Sequence, residues 1–196
     1  IIKVLKNLRP SRAREFHMPR IFCGQKVIRP EGEVAHRLEH PEKCELVNRE
    51  KIYHFVSKNA FDIQGLGPKI IDRLLDEGLI QDAADLFLLK ESDLEHLERF
   101  AEKSAANLVE AIQGKKKIEF PRFIYALGIL HVGEETAYDL AKNFGSLEKL
   151  NNIFLEELRA VPNIGEVVAE SLYNWFRQKS HQKFIHKLLR AGVEVS

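Results

Sequence analysis

A glycine turn that runs straight into a helix can hold a phosphate, and this chain repeats that arrangement four times. The cassettes are Ile63-Gln64-Gly65-Leu66-Gly67, Leu97-Glu98-Arg99-Phe100-Ala101, Ile129-Leu130-His131-Val132-Gly133 and Val161-Pro162-Asn163-Ile164-Gly165, with last positions 32 to 34 residues apart. Each opens on an aliphatic residue and carries another apolar residue just before its last position. Four residues beyond stands Ile71, Ala105, Ala137 or Ala169, and seven beyond Leu74, Leu108, Leu140 or Leu172, spacings that share one helical face. The pattern predicts helix, tight turn, helix, with backbone N–H groups and the positive helix end turned toward an anion. The phosphate-contacting candidates are Gly65, Gly67, Lys69, Lys103, His131, Gly133, Asn163 and Gly165. The first copy keeps both glycines and the third and fourth keep one each, while Arg99 and Ala101 replace both in the second, which is expected to be structural. A side chain at Gly67 is expected to crowd the phosphate and to oppose a left-handed turn. Periods near 33 residues also mark helical solenoids that bind proteins. The glycine turn ahead of the helix, without a solenoid consensus, favours the phosphate reading.

Other chemistry is sparse. Cys23 and Cys44 make half of a four-ligand zinc set, with His17, His36 and His40 close enough in sequence to complete one, or they are two cysteines without a metal. There is no Walker loop, H-E-x-x-H or nucleophile elbow, so no catalytic residue is expected and the segment reads as a binder. His131 either helps to hold a phosphate or packs beside its turn.

The elements that must position the hairpins are predicted as follows. Ile2 and Val4 alternate as a short strand ended by Arg9-Pro10, residues 17–50 form a small irregular module, and residues 51–196 form a mainly α, four-motif helix-hairpin-helix domain. Leu46 to Ser57 reads as a helix with Val47, Tyr53 and Val56 toward the core. Pro68 starts a helix closed by Gly78, Asp82 caps a helix through Leu89, Ser92 with Glu95 forms a capping box, and Ser146 and Gly192 punctuate later helices.

The net charge of +1 hides an asymmetry, because residues 1–30 carry eight Lys or Arg against Glu15 alone. A basic arm on near-neutral hairpins suits a nucleic-acid partner, as does the Lys115-Lys116-Lys117 cluster with Arg122 between hairpins two and three. A composition of 44% hydrophobic residues is enough for a core, no apolar run reaches membrane-spanning length, and two cysteines fit a reducing cytoplasm better than a secreted disulfide framework. The start, Ile1-Ile2-Lys3, reads as a cut from a longer chain.

Ordered stretches along almost the whole chain resemble the central and C-terminal part of bacterial NAD-dependent DNA ligase. They include Arg29-Pro30-Glu31-Gly32-Glu33, His54-Phe55-Val56-Ser57, Phe61-Asp62-Ile63-Gln64-Gly65-Leu66-Gly67, Lys103-Ser104-Ala105, His131-Val132-Gly133-Glu134 and Val161-Pro162-Asn163-Ile164-Gly165. The resemblance implies that residues 1–16 end an oligonucleotide-binding barrel and that residues 17–50 are a zinc-finger-like module. In that module Arg20 and Leu38 stand where the family has its other two cysteines, which puts zinc in doubt. It further implies a cytoplasmic parent enzyme that uses NAD and Mg and seals 3′-OH to 5′-phosphate nicks in replication and repair. The family's adenylated lysine lies in a K-x-D-G motif that does not occur here, so this segment is expected to clamp nicked double-stranded DNA without ligating it alone. The second reading is a repair or recombination scaffold with tandem hairpins and no ligase activity.

Overall fold

The computed structural model describes residues 17–32, 34–94, 97 and 102–196, with residues 102 and 103 described by backbone alone. The predicted strand at Ile2–Val4 and nearly all of the second hairpin lie outside these residues. Two compact units divide between Val47 and Asn48.

The first unit holds more order than the sequence suggests. Strands β1 (Ile21–Phe22), β2 (Gln25–Ile28) and β3 (Arg37–Leu38) pair antiparallel in that order, with Ile21 opposite Lys26 and Val27 opposite Leu38. Cys23 and Gly24 form the two-residue turn between β1 and β2, both at positive φ, as right-twisted hairpins require. Strands of two to four residues are too short to show alternation, so the module read as irregular. A 3-10 turn, Pro41–Lys43, leads to Cys44, whose Sγ is bonded to that of Cys23.

The second unit is built mainly of helices, the first of which begins three residues before the division. α1 (Glu45–Val56) leads through the first hairpin into α2 (Pro68–Asp76), then a 3-10 helix (Ala83–Leu88), α3 (Glu91–Leu94) and α4 (Glu102–Gln113). β4 (Lys117–Ile118) precedes α5 (Phe120–Ala126), α6 (Glu134–Phe144), α7 (Leu147–Asn151), α8 (Leu155–Arg159), α9 (Glu166–Arg177), α10 (Lys179–Arg190) and β5 (Glu194–Val195). Asp82 caps its helix as predicted, with Asp85 completing a capping box, although the helix is 3-10 and not α. Ser146 caps α7 by accepting from the Lys149 amide. Ser92 lies inside α3 and not ahead of it; Asp93 instead accepts the Lys90 amide.

The core face of α1 is Ile52, Phe55 and Val56, whereas Val47 and Tyr53 are only half-buried. Tyr53 turns away because its hydroxyl donates to Asp72 on α2, where Arg49 also pairs, at 2.8 Å to Asp72 and 2.5 Å to Asp76. The donated hydrogen bond pushes the Tyr53 hydroxyl up to about 12, and the hydrogen bonds from Tyr53 and Arg49 hold the Asp72 carboxyl below its ordinary value. A depressed carboxyl contributes stability that is present above the unfolded value, about 3.9, and is lost as pH falls through the folded one. The urea midpoint should therefore drop on acidification through that range, and by less in Asp72→Asn. Equal drops in the two proteins would mean that this network does not govern the acid limb.

Helix α10 returns the end of the second unit to its first helix. Phe184 on α10 meets the edge of Phe55 on α1, which also stacks on Phe61 and meets Phe87 edge-on. Lys187 reaches Asp82 at 2.8 Å and Asp85 at 2.7 Å. Burial pushes the Asp85 carboxyl up, but hydrogen bonds from Lys187 and from the amides of Gln81 and Asp82 outweigh it and leave it lowered. β4 and β5 pair in parallel, and the Phe120 amide donates to Ser196. The domain is mainly α, as expected, and contains one two-stranded parallel pair. No helix among the described residues is long and apolar enough to cross a membrane.

Candidate nucleic-acid interface

Three of the four hairpins are described, and they are built alike. In each, the residue two before the last cassette position lies in left-handed backbone: Gly65 at φ +83°, His131 at +67° and Asn163 at +67°. The next residue, Leu66, Val132 or Ile164, is buried, and its amide donates back to Ile63, Ile129 or Val161. Gly67, Gly133 and Gly165 then cap α2, α6 and α9, each with extended backbone and no side-chain cap. Their carbonyls accept the amides of Ile71, Ala137 and Ala169, and these three residues, with Leu74, Leu140 and Leu172, are fully buried. The apolar columns of the sequence are the internal face of the second helix of each pair.

One expectation needs correction. Gly67 is not left-handed, since its φ is −84°; the left-handed residue is Gly65. His131 and Asn163 take the same backbone without glycine, and Asn is among the residues that tolerate it best. A Cβ placed on Gly67, Gly133 or Gly165 would meet nothing within 4 Å. Neither backbone conformation nor crowding inside the chain requires glycine at these caps. Without a side chain, these caps leave open the approach to the first helical amides, which have no intrahelical acceptors.

The three sites differ in charge. Lys69 stands exposed in the first turn of α2, whereas α6 begins with Glu134 and Glu135 and α9 with Glu166. Glu134 accepts from Asn59 at 2.5 Å, and Glu166 is paired with Arg159, whose hydrogen bond lowers the carboxyl. Of the three helix ends, that of α2 therefore has the most positive surroundings, with Lys69 and no carboxylate in its first turn. Lys103 lies in the first turn of α4, and its side chain is outside the described residues.

Polar bridges fix the hairpins relative to one another. Arg122 donates to the carbonyls of Lys58 and Ala60, Ser171 to that of Leu130 at 2.7 Å, and Asn163 to the Asp139 carboxylate at 3.4 Å. Lys115 pairs with Asp62 at 2.9 Å and Lys117 with Glu194 at 3.3 Å. Lys115 and Arg122 of the cluster are thus engaged in holding the fold, whereas the Lys117 pair is exposed. Sequence reasoning missed this, because each partner is distant along the chain.

The residues near Cys23 and Cys44 do not fit a four-ligand zinc site. The two sulfurs are bonded to each other, and no group of three or more His, Cys, Asp or Glu gathers among the described residues.

Two family patterns match the chain: a SAM-like helix-hairpin-helix tandem over residues 58–114 and a helix-hairpin-helix motif over residues 122–185. A DNA ligase of Desulfitobacterium hafniense (strain Y51) is 43% identical over 198 residues, which cover 100% of this chain and 30% of that protein. A DNA ligase of Halothermothrix orenii is 44% identical over 197 residues, covering 100% of this chain and 29% of that protein. Over its whole length the chain is thus similar to one portion of these DNA ligases. A third such relative, from Nitrosococcus oceani, is 43% identical over 98% of this chain and 29% of its own length. The chain therefore spans under a third of the curated relatives it matches.

Proposed function

We propose that this chain is the DNA-clamping portion of an NAD-dependent DNA ligase that seals nicks between 3′-OH and 5′-phosphate ends in replication and repair. The observation that carries the reading is the open space above the three glycine caps. A backbone phosphate can approach the first amides of α2, α6 and α9 there, with Lys69 adding a charge at the first. These contacts reach the sugar-phosphate backbone and not base edges, so they position a duplex without reading its sequence. The adenylating lysine, with NAD and Mg, belongs to other parts of the parent enzyme, since no K-x-D-G occurs in this chain. The rest of the ligase chain is the covalent partner. The parent works in the cytoplasm at the nucleoid.

Anisotropy titrations of nicked duplexes of unrelated sequence, across a series of salt concentrations, test the clamp. Affinities should agree within about threefold, and log K should fall against log salt with a slope of about −3, for three to four phosphates at roughly −0.9 each. Incubation with labelled NAD should leave no lysine adduct. Strong sequence preference or salt-independent binding would overturn the clamp, and a stoichiometric adduct would overturn the division of labour.

A further inference from the structure

A second surface lies away from the hairpin turns. Lys183, His186, Lys187 and Arg190 repeat along α10 at helical spacing and, with Leu88 and Ala191, line a cleft of about 590 Å³. Asp82, which pairs with Lys187, follows the C-terminal end of α2, and Phe87, next to Leu88, accepts from Gln113 at the C-terminal end of α4. The first hairpin stands at the opposite end of α2, a helix about 13 Å long at 1.5 Å per residue. A partner in the cleft and a duplex on the hairpins would not compete for the same groups.

The cleft combines an apolar anchor with unmatched charge. Leu88, the last residue of the 3-10 helix, is 54% exposed and offers an apolar side chain at the edge of the cleft. Lys187 is neutralised by two aspartates, while the exposed Lys183 and Arg190 have no ion pair within 4.0 Å among the described residues. A phosphodiester backbone would satisfy the cations but lay its charges over Leu88. A protein segment satisfies both, with an apolar side chain on Leu88 and carboxylates at the two ends. We propose that this cleft docks an acidic, leucine-bearing segment of a partner protein.

The probe is a fluorescein-labelled peptide of glutamates with leucines one helical turn apart, titrated into the 196-residue chain; its control has lysine for every glutamate. The acidic peptide should bind and the basic one should not. Lys183→Glu with Arg190→Glu should weaken binding at least tenfold, Leu88→Ser at least fivefold, and neither variant should change helix content. Absence of binding, or binding indifferent to Leu88, overturns the proposal. If the double variant loses nicked-duplex affinity as strongly as peptide affinity, the surface is a nucleic-acid face instead. If it shifts a monomer–dimer equilibrium in sedimentation, the occupant is a second copy. Either result would sink the partner-segment assignment.

Discussion

Gly67→Val should remain folded and bind nicked duplex at least tenfold more weakly than the parent chain. The cap has φ −84° and ψ 171°, a conformation that a β-branched residue adopts readily, and a Cβ there meets no neighbour within 4 Å. The cost to the chain is the poor capping of valine, on the order of 1 kcal/mol. The cost to a phosphate is larger, because two methyl groups then stand where it would approach the α2 amides. Gly65→Val separates strain from blockade. At φ +83° that residue occupies backbone that costs an L side chain about 1–2 kcal/mol or more, so this variant should lose stability first. If Gly67→Val melts with the parent and binds DNA equally well, the first hairpin is not a phosphate site.

Phe55→Ala should cost about 3–5 kcal/mol, a large fraction of the 5–15 kcal/mol that holds an ordinary domain together. Phe55 is 1% exposed and meets rings from three other segments: Phe61 at 4.2 Å, Phe87 at 6.2 Å and Phe184 at 6.1 Å. Its removal leaves a cavity bounded by α1, the 3-10 helix and α10, elements pinned elsewhere by Arg49 and Lys187 and so poorly able to collapse. Urea unfolding with an unchanged slope and a lowered midpoint would register the loss. A loss below about 1 kcal/mol would mean that the aromatic cluster is not the keystone of this unit.

The hairpins were legible because their signal is local. The aliphatic four before each cap, the apolar residue just before it and the residues four and seven beyond all obey one short spacing, and in the three described hairpins all are buried where the spacing puts them. Gly67 was misread for a related reason: two glycines so close together do not reveal which of them is left-handed. The tertiary devices were not legible. Nothing near Lys187 in sequence announces Asp82, 105 positions away, and two-residue strands such as β4 and β5 carry no period to detect. The functional reading of Lys115 and Arg122 was blurred likewise, because a cluster of cations looks the same whether it faces solvent or neighbouring carbonyls.

The pairing of β5 with β4, and of α10 with the first aromatic cluster, changes how an array of repeats behaves. Open repeat arrays hold each unit only to its neighbours and can fray from either end. Here the last helix completes the packing of the first, so the second unit should lose its structure in one cooperative transition. During synthesis the core around Phe55 stays incomplete until Phe184 has left the ribosome. The contacts between α10 and the start of the unit join residues far apart in sequence, which favours slower folding than in a helical bundle of purely local contacts.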